Sequence, residues 1–140
     1  MKIHPAAMAL PEMNTVDFAA LKSDIEKHGQ LCPVEIVGGQ LIDGRHRWKA
    51  CDELGLACDT VDVDLNGQTA GQYVWSLNGA RRHITASQRA TVAVELLPEI
   101  AKDNKPGRPG KERINALIKT SEFAAKMVNV SETYVKHAKE

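Results

Sequence analysis

The stretch Gly29-Gln30-Leu31-Cys32-Pro33-Val34-Glu35-Ile36-Val37-Gly38-Gly39-Gln40-Leu41-Ile42-Asp43-Gly44-Arg45-His46-Arg47-Trp48-Lys49-Ala50 decides how the chain folds. Residues 33–37 read as a short strand, Gly38-Gly39-Gln40 as a tight hairpin turn, and Leu41-Ile42 as the returning strand. Asp43-Gly44-Arg45-His46-Arg47 then leaves that strand and opens a helix, which carries Trp48, Cys51 and Leu54 toward the core until Gly55 ends it. A glycine between strand and helix lets the backbone approach a ligand closely, and the first N–H groups of the helix carry partial positive charge. Such a terminus binds phosphate, and Arg45, His46 and Arg47 add side-chain donors at the same place. Asp43 is placed to accept a hydrogen bond from a ribose, a base or a neighbouring arginine, or to help hold a divalent ion. Taken alone, one glycine followed by Arg-His-Arg reads equally well as a tight turn with solvated arginines.

Working outward, residues 2–11 contain two prolines and read as an edge strand and a turn. Thr15 is placed to cap a helix reaching about His28, with Phe18, Leu21 and Ile25 on one face and Gly29 as its stop. Residues 60–64 alternate apolar and polar types, as a half-buried strand does. Ala70, Tyr73, Val74 and Leu77 recur at helical spacing. Thr85-Ala86-Ser87-Gln88 has the form of a capping box, opening a helix through Val92, Ala93, Leu96 and Leu97 that Pro98 is expected to kink or end. The run Asn104-Lys105-Pro106-Gly107-Arg108-Pro109-Gly110 reads as a linker, and helical pattern resumes from Glu112. The order is mixed α and β over residues 1–68, then all helix.

At 140 residues the chain holds one compact domain plus an appendage, and its 43% hydrophobic and 26% charged content is that of a globular protein. No apolar run approaches the ~20 residues that span a bilayer, and the opening residues lack a signal-peptide core, so no membrane partner and a cytoplasmic location are expected. Cys32, Cys51 and Cys58 form no Cys-x-x-Cys pair and read as buried or spectator thiols rather than a zinc or disulfide framework. The net charge is zero, but it is unevenly distributed. Residues 1–100 hold 9 Lys+Arg against 13 Asp+Glu, and residues 101–140 hold 9 against 5. Arg81, Arg82, His83 and Arg89 lie in a stretch, residues 78–89, without any acid. An acidic body with one basic stripe and a basic tail suits a polyanion; a solvated helix face and linker is the alternative.

The string from Gly29 to Ala50 resembles the N-terminal domain of the ParB/sulfiredoxin superfamily, in which a G-x-x-x-P-[IVL]-x-V strand precedes a hairpin and a DG-x-HR-type turn. The resemblance implies that Gly44, Arg45, His46 and Arg47 bind nucleotide phosphates and that Gln30 borders the base or sugar. Asn78 and Arg81 match a second phosphate motif of that family, E-N-x-x-R-x-x-L-[TS]. Arg81 is then expected on the phosphates, and Asn78 on the phosphates or on a magnesium ion they carry. The glutamate implicated in metal coordination and hydrolysis is replaced here by Leu77, which counts against turnover more than against binding. The sulfiredoxin cysteine position is occupied by Arg45, so sulfiredoxin chemistry is not expected.

Near the C-terminus, Thr120-Ser121 is placed to cap a helix with Phe123, Ala124, Met127 and Val128 pointing inward. Asn129 tolerates the left-handed conformation where the chain must turn, and Ser131 caps a second helix with Tyr134, Val135 and Ala138. This pattern resembles the helix-turn-helix that follows the ParB nucleotide domain; a helical hairpin closing a small core is the alternative. Ser131, Glu132, Thr133 and Lys136 would face DNA, joined by Arg82 and Arg89. ParB relatives usually continue further, so the chain reads as a fragment of a homodimer.

The expected architecture is therefore an α+β ParB-like nucleotide-binding domain over residues 1–100, a linker over 101–111, and a helix-turn-helix module over 112–140. The implied function is a plasmid- or phage-type ParB-like DNA-binding protein in partition or transcriptional control. CTP or ATP with Mg2+ would act as its conformational switch, with weak nucleotide hydrolysis an open question. Two alternatives are a nucleotide hydrolase or ParB-like nuclease, and a transcription factor with a vestigial pocket.

Overall fold

The structure is a computed structural model that describes residues 1–79, 85–101, 122–130, 135 and 138. The chain packs as two compact units, Met1–Leu65 and Asn66–Glu140.

In the first unit, β1 (Val34–Val37) and β2 (Gln40–Asp43) form the expected antiparallel hairpin. Gly38 and Gly39 have φ of 54° and 75°, the paired positive values of a primed hairpin turn that matches the strands' twist. A bulge between Glu35 and Ile36 leaves Glu35 opposite Asp43 at the end of the ladder. Strand β3 (Thr60–Asp62) joins β1 in parallel, giving the sheet order β2-β1-β3. All three of its residues are exposed, so β3 is an open edge rather than the half-buried strand its alternation suggests. Val34, Leu41 and Ile42 are fully buried, each contributing about 1.5–3 kcal/mol of apolar burial.

The edge strand expected near the N-terminus is reduced to a single parallel bridge between Ile3 and Leu41. The chain then forms a short helix, α1 (Pro5–Met8), rather than a turn. Pro5 presets the helical φ and lacks an N–H that would need a partner, while His4 Nδ1 accepts from the Ala6 N–H at 3.1 Å. Helix α2 (Thr15–His28) is capped by Asn14, not Thr15: Asn14 Oδ1 accepts from the Asp17 N–H at 2.8 Å. Asparagine is the stronger cap, because its side chain reaches the third amide readily. Gly29 closes the helix with φ of 77°. Ile25 of α2 packs on Ala50 and Cys51 of α3 (Arg45–Leu54), with Phe18, Leu21 and Leu54 at the rim. Trp48 lies against Ala7, Val34 and Leu41.

In the second unit, α4 (Ala70–Asn78) and α5 (Ala86–Ala101) pack together. Both open with reciprocal capping boxes. Thr85 Oγ1 accepts from the Gln88 N–H at 3.2 Å and Gln88 Oε1 from the Thr85 N–H at 2.9 Å. Thr69 and Gln72 repeat the arrangement at α4, a box the sequence reading passes over. Helix α5 continues beyond Pro98 to Ala101, so the proline does not end it. Pro98 is exposed, and the buried Val92, Ala93 and Leu96 hold the helix through the missing N–H.

Residues 122–127 are helical, with Ala124, Ala125 and Val128 buried. Phe123 is 44% exposed, contrary to the inward position expected of it. Asn129 adopts φ of 54°, the left-handed turn its side chain favours. The expected caps Thr120, Ser121 and Ser131 and residues 102–111 of the expected linker lie outside the described residues. Among the described residues, no helix is long and apolar enough to cross a membrane.

Because Asn14 is the cap of α2, Asn14→Ala should lower the stability of the first unit by about 1 kcal/mol, read as a lower urea midpoint. Thr15→Ala should leave the midpoint nearly unchanged.

Candidate phosphate site at the β2–α3 turn

Gly44 joins β2 to α3 with φ of 91° and ψ of 24°, a left-handed conformation that costs other residues about 1–2 kcal/mol. The N-cap of α3 is this glycine, which has no side chain to cap the helix it opens. By contrast, His4, Asn14, Thr69 and Thr85 cap α1, α2, α4 and α5. The first intrahelical bond runs from the Trp48 N–H to the Gly44 carbonyl at 2.9 Å, so the amides ahead of it point out of the helix end. That end carries the positive pole of the helix.

The three consecutive cations have different fates. Arg45 is 8% exposed, and its guanidinium is enclosed by backbone carbonyls. Nη1 donates to the carbonyls of Ala7 at 3.2 Å and Met8 at 3.5 Å. Nη2 donates to those of Leu10 at 2.7 Å and Pro11 at 3.0 Å, and lies 3.4 Å from Glu12 Oε1. His46 is 7% exposed and faces the same segment. Its Nε2 lies 2.9 Å from Glu12 Oε2 and 3.2 Å from the Met13 nitrogen, so it donates to the first when protonated and accepts from the second when not. The His46 hydrogen bond holds the Glu12 carboxyl below the ordinary carboxylate range against slight burial, and the Arg45 charge adds to the effect.

Arg47 alone of the three stays at the helix end. Its Nη2 donates to Asp43 Oδ2 at 3.2 Å and to the Pro33 carbonyl at 3.3 Å, both long contacts. Its Nε is buried without a hydrogen-bond partner. The guanidinium lies over Gly44, where an added Cβ would stand 2.7 Å from Nη2. The backbone conformation therefore favours glycine at position 44, while the nearby Arg47 tip could swing aside from a Cβ.

Gln30 acts as a clip between loops. Its Nε2 donates to the carbonyls of Cys32 and Asp59, both at 2.9 Å, and its Oε1 accepts from the Asp59 N–H at 2.8 Å. The Cys51 thiol donates to the same Oε1 at 3.7 Å. Burial, with Cys51 beside it, pushes the Cys58 thiol up to about 11, away from the reactive thiolate form.

No family model matches the sequence, and neither does any curated protein. A solved structure of a Pnob8-like ParB-N domain matches 99% of the chain with a TM-score of 0.58 at 20% sequence identity. The chain has the ParB-N fold. It spans 64% of the solved chain's own length. The fold accounts for the small mixed sheet followed by helices.

In the ParB-N fold of this chain, the second group of candidate residues lies in the second unit. Asn78 ends α4 and donates from Nδ2 to the Val74 carbonyl at 3.0 Å. Leu77 is half-buried on the same helix, and Arg89 is half-buried on α5. Arg81, Arg82, Ser131, Glu132, Thr133 and Lys136 lie outside the described residues. Sequence reasoning missed Glu12, which joins Arg45 and His46 to the segment after α1. It lies too far along the chain for any local pattern to reveal it.

Replacing Arg45 by methionine would strand several inward-facing carbonyls of residues 7–11. Arg45→Met should cost about 2–4 kcal/mol in urea unfolding, whereas Arg47→Met, removing a partly exposed pair, should cost about 1 kcal/mol or less.

Proposed function

We propose that this chain is a ParB-like DNA-associated protein, acting in partition or transcriptional control, whose β2–α3 turn binds the phosphates of a nucleoside triphosphate. The observation that carries the reading is the uncapped start of α3 at Gly44, with the Arg47 guanidinium lying over it and its Nε unpartnered. A helix end of this kind attracts a phosphate through its amides and its dipole together. A single loosely held arginine supplies charge and directed donors. The glycine cradle and the orphaned nitrogen fit a phosphoryl group.

Within this reading the three cations divide their roles. Arg47 meets the phosphate, while Arg45 and His46 brace the turn from behind through residues 7–13. Asn78 and Arg81 are assigned to the same ligand, Asn78 through a magnesium ion carried by CTP or ATP. Leu77 offers no carboxylate, so the role assigned is binding without efficient turnover.

DNA is assigned to the basic C-terminal part, where 9 Lys+Arg face 5 Asp+Glu over residues 101–140. Arg82, Arg89, Ser131, Glu132, Thr133 and Lys136 are its proposed contacts, in a full-length homodimer. One observation favours a second reading, a transcription factor whose pocket is vestigial: Arg45 and His46 are committed to internal contacts.

Calorimetric titration of CTP, ATP and GTP with Mg2+ into the wild type and Arg47→Ala tests the proposal. Saturable binding of one nucleotide, weakened about tenfold or more in Arg47→Ala, is the expected result. No binding of any nucleotide at millimolar concentration, with DNA binding intact in Arg47→Ala, would leave the second reading.

A further inference from the structure

The residue immediately before the cradle is itself an anion. Asp43 Oδ2 lies 3.2 Å from Arg47 Nη2, so the ion pair spans the turn from the last residue of β2 to the first turn of α3. Both side chains are partly exposed, 22% for Asp43 and 29% for Arg47, so the pair is within reach of solvent and of a solute. In this arrangement the guanidinium is drawn over Gly44, the place where an approaching phosphate must come close to the backbone. Its bonds there are long and its Nε has no partner. It is held, but not well satisfied.

We infer that Asp43 is an internal competitor for the phosphate: its carboxylate holds Arg47 across Gly44, and ligand binding exchanges that carboxylate for a phosphoryl group. The inference rests on the phosphate reading of the turn and adds a residue that sets the affinity of the site. An arginine near the surface exchanges partners readily, because a partly exposed ion pair is worth only about 0–1 kcal/mol. A phosphoryl group brings more negative charge than a carboxylate and can also meet the amides of the helix end. The exchange therefore favours polyphosphates over singly charged anions.

The test is calorimetric titration of inorganic triphosphate, without metal, into the wild type, Asp43→Asn and Asp52→Asn. The titrations run at physiological ionic strength, where charges beyond about 8 Å are screened. Asp52 is an exposed residue of α3 at the other end of the helix, and its substitution makes the same change in net charge. Competition predicts that Asp43→Asn binds about two- to fivefold more tightly than wild type, the gain an exposed ion pair permits, with Asp52→Asn unchanged. A gain in affinity cannot come from structural damage. Weaker binding in Asp43→Asn would make Asp43 a ligand contact and overturn the inference. So would equal binding in the two proteins, or an equal gain in Asp52→Asn. Any of these three results, with a wild type that binds, leaves the phosphate reading in place. Silence from wild type and Asp43→Asn alike removes that reading and the inference together.

Discussion

The guanidinium of Arg45, closed in by the carbonyls of Ala7, Met8, Leu10 and Pro11, is the interaction around which the first unit is arranged. A cation this deeply buried is tolerated only where oxygen atoms replace its water, and here a single chain segment supplies them. Ala7 and Met8 offer carbonyls from the last turn of α1, and Leu10 and Pro11 offer theirs from the irregular stretch beyond it. The result fixes the segment before α2 against the start of α3, and Glu12 closes the contact by pairing with both Arg45 and His46. The β2–α3 turn thereby acquires a rigid floor.

On that floor, one glycine and one arginine form the exposed feature. Gly44 supplies the left-handed backbone that the turn needs, and the Arg47 guanidinium lies over it. Helix α3 starts at a glycine that offers no side-chain cap, and its first turn carries the positive pole of the helix. Arg47 and Asp43 then set the local charge. The arginine adds to the field of the helix end, and the aspartate opposes it. The turn is therefore neither strongly cationic nor closed.

Much of this architecture was legible in the sequence because it is encoded locally. Gly38-Gly39 between two β-rich runs reports a hairpin, and Thr85 with Gln88 reports a helix start, from residues adjacent in the chain. Gly44 was legible for the same reason, and so was the left-handed Asn129. The features that escaped depend on distant partners. Nothing in Arg-His-Arg says which cation is enclosed, since the enclosing carbonyls come from residues 7–11. The Gln30 amide clips two loops through Cys32 and Asp59 and meets the Cys51 thiol, contacts that its own sequence context does not encode. The exposure of β3 comes from its place at the edge of the sheet, which alternation along one strand does not encode. Pro98 misled because a local rule was outweighed by the buried face of α5.

On the proposed reading Arg45 belongs to the fold and Arg47 to the ligand, although the two are separated by one residue. Nitrogen–proton correlation spectra recorded during titration with inorganic triphosphate read both at once, through the backbone amides of residues 45–47 and the two arginine Nε–H signals. The account predicts that the three amides and the Arg47 Nε–H shift together and saturate, while the Arg45 Nε–H keeps its position. A saturating shift of the Arg45 Nε–H with an unmoved Arg47 signal would contradict it.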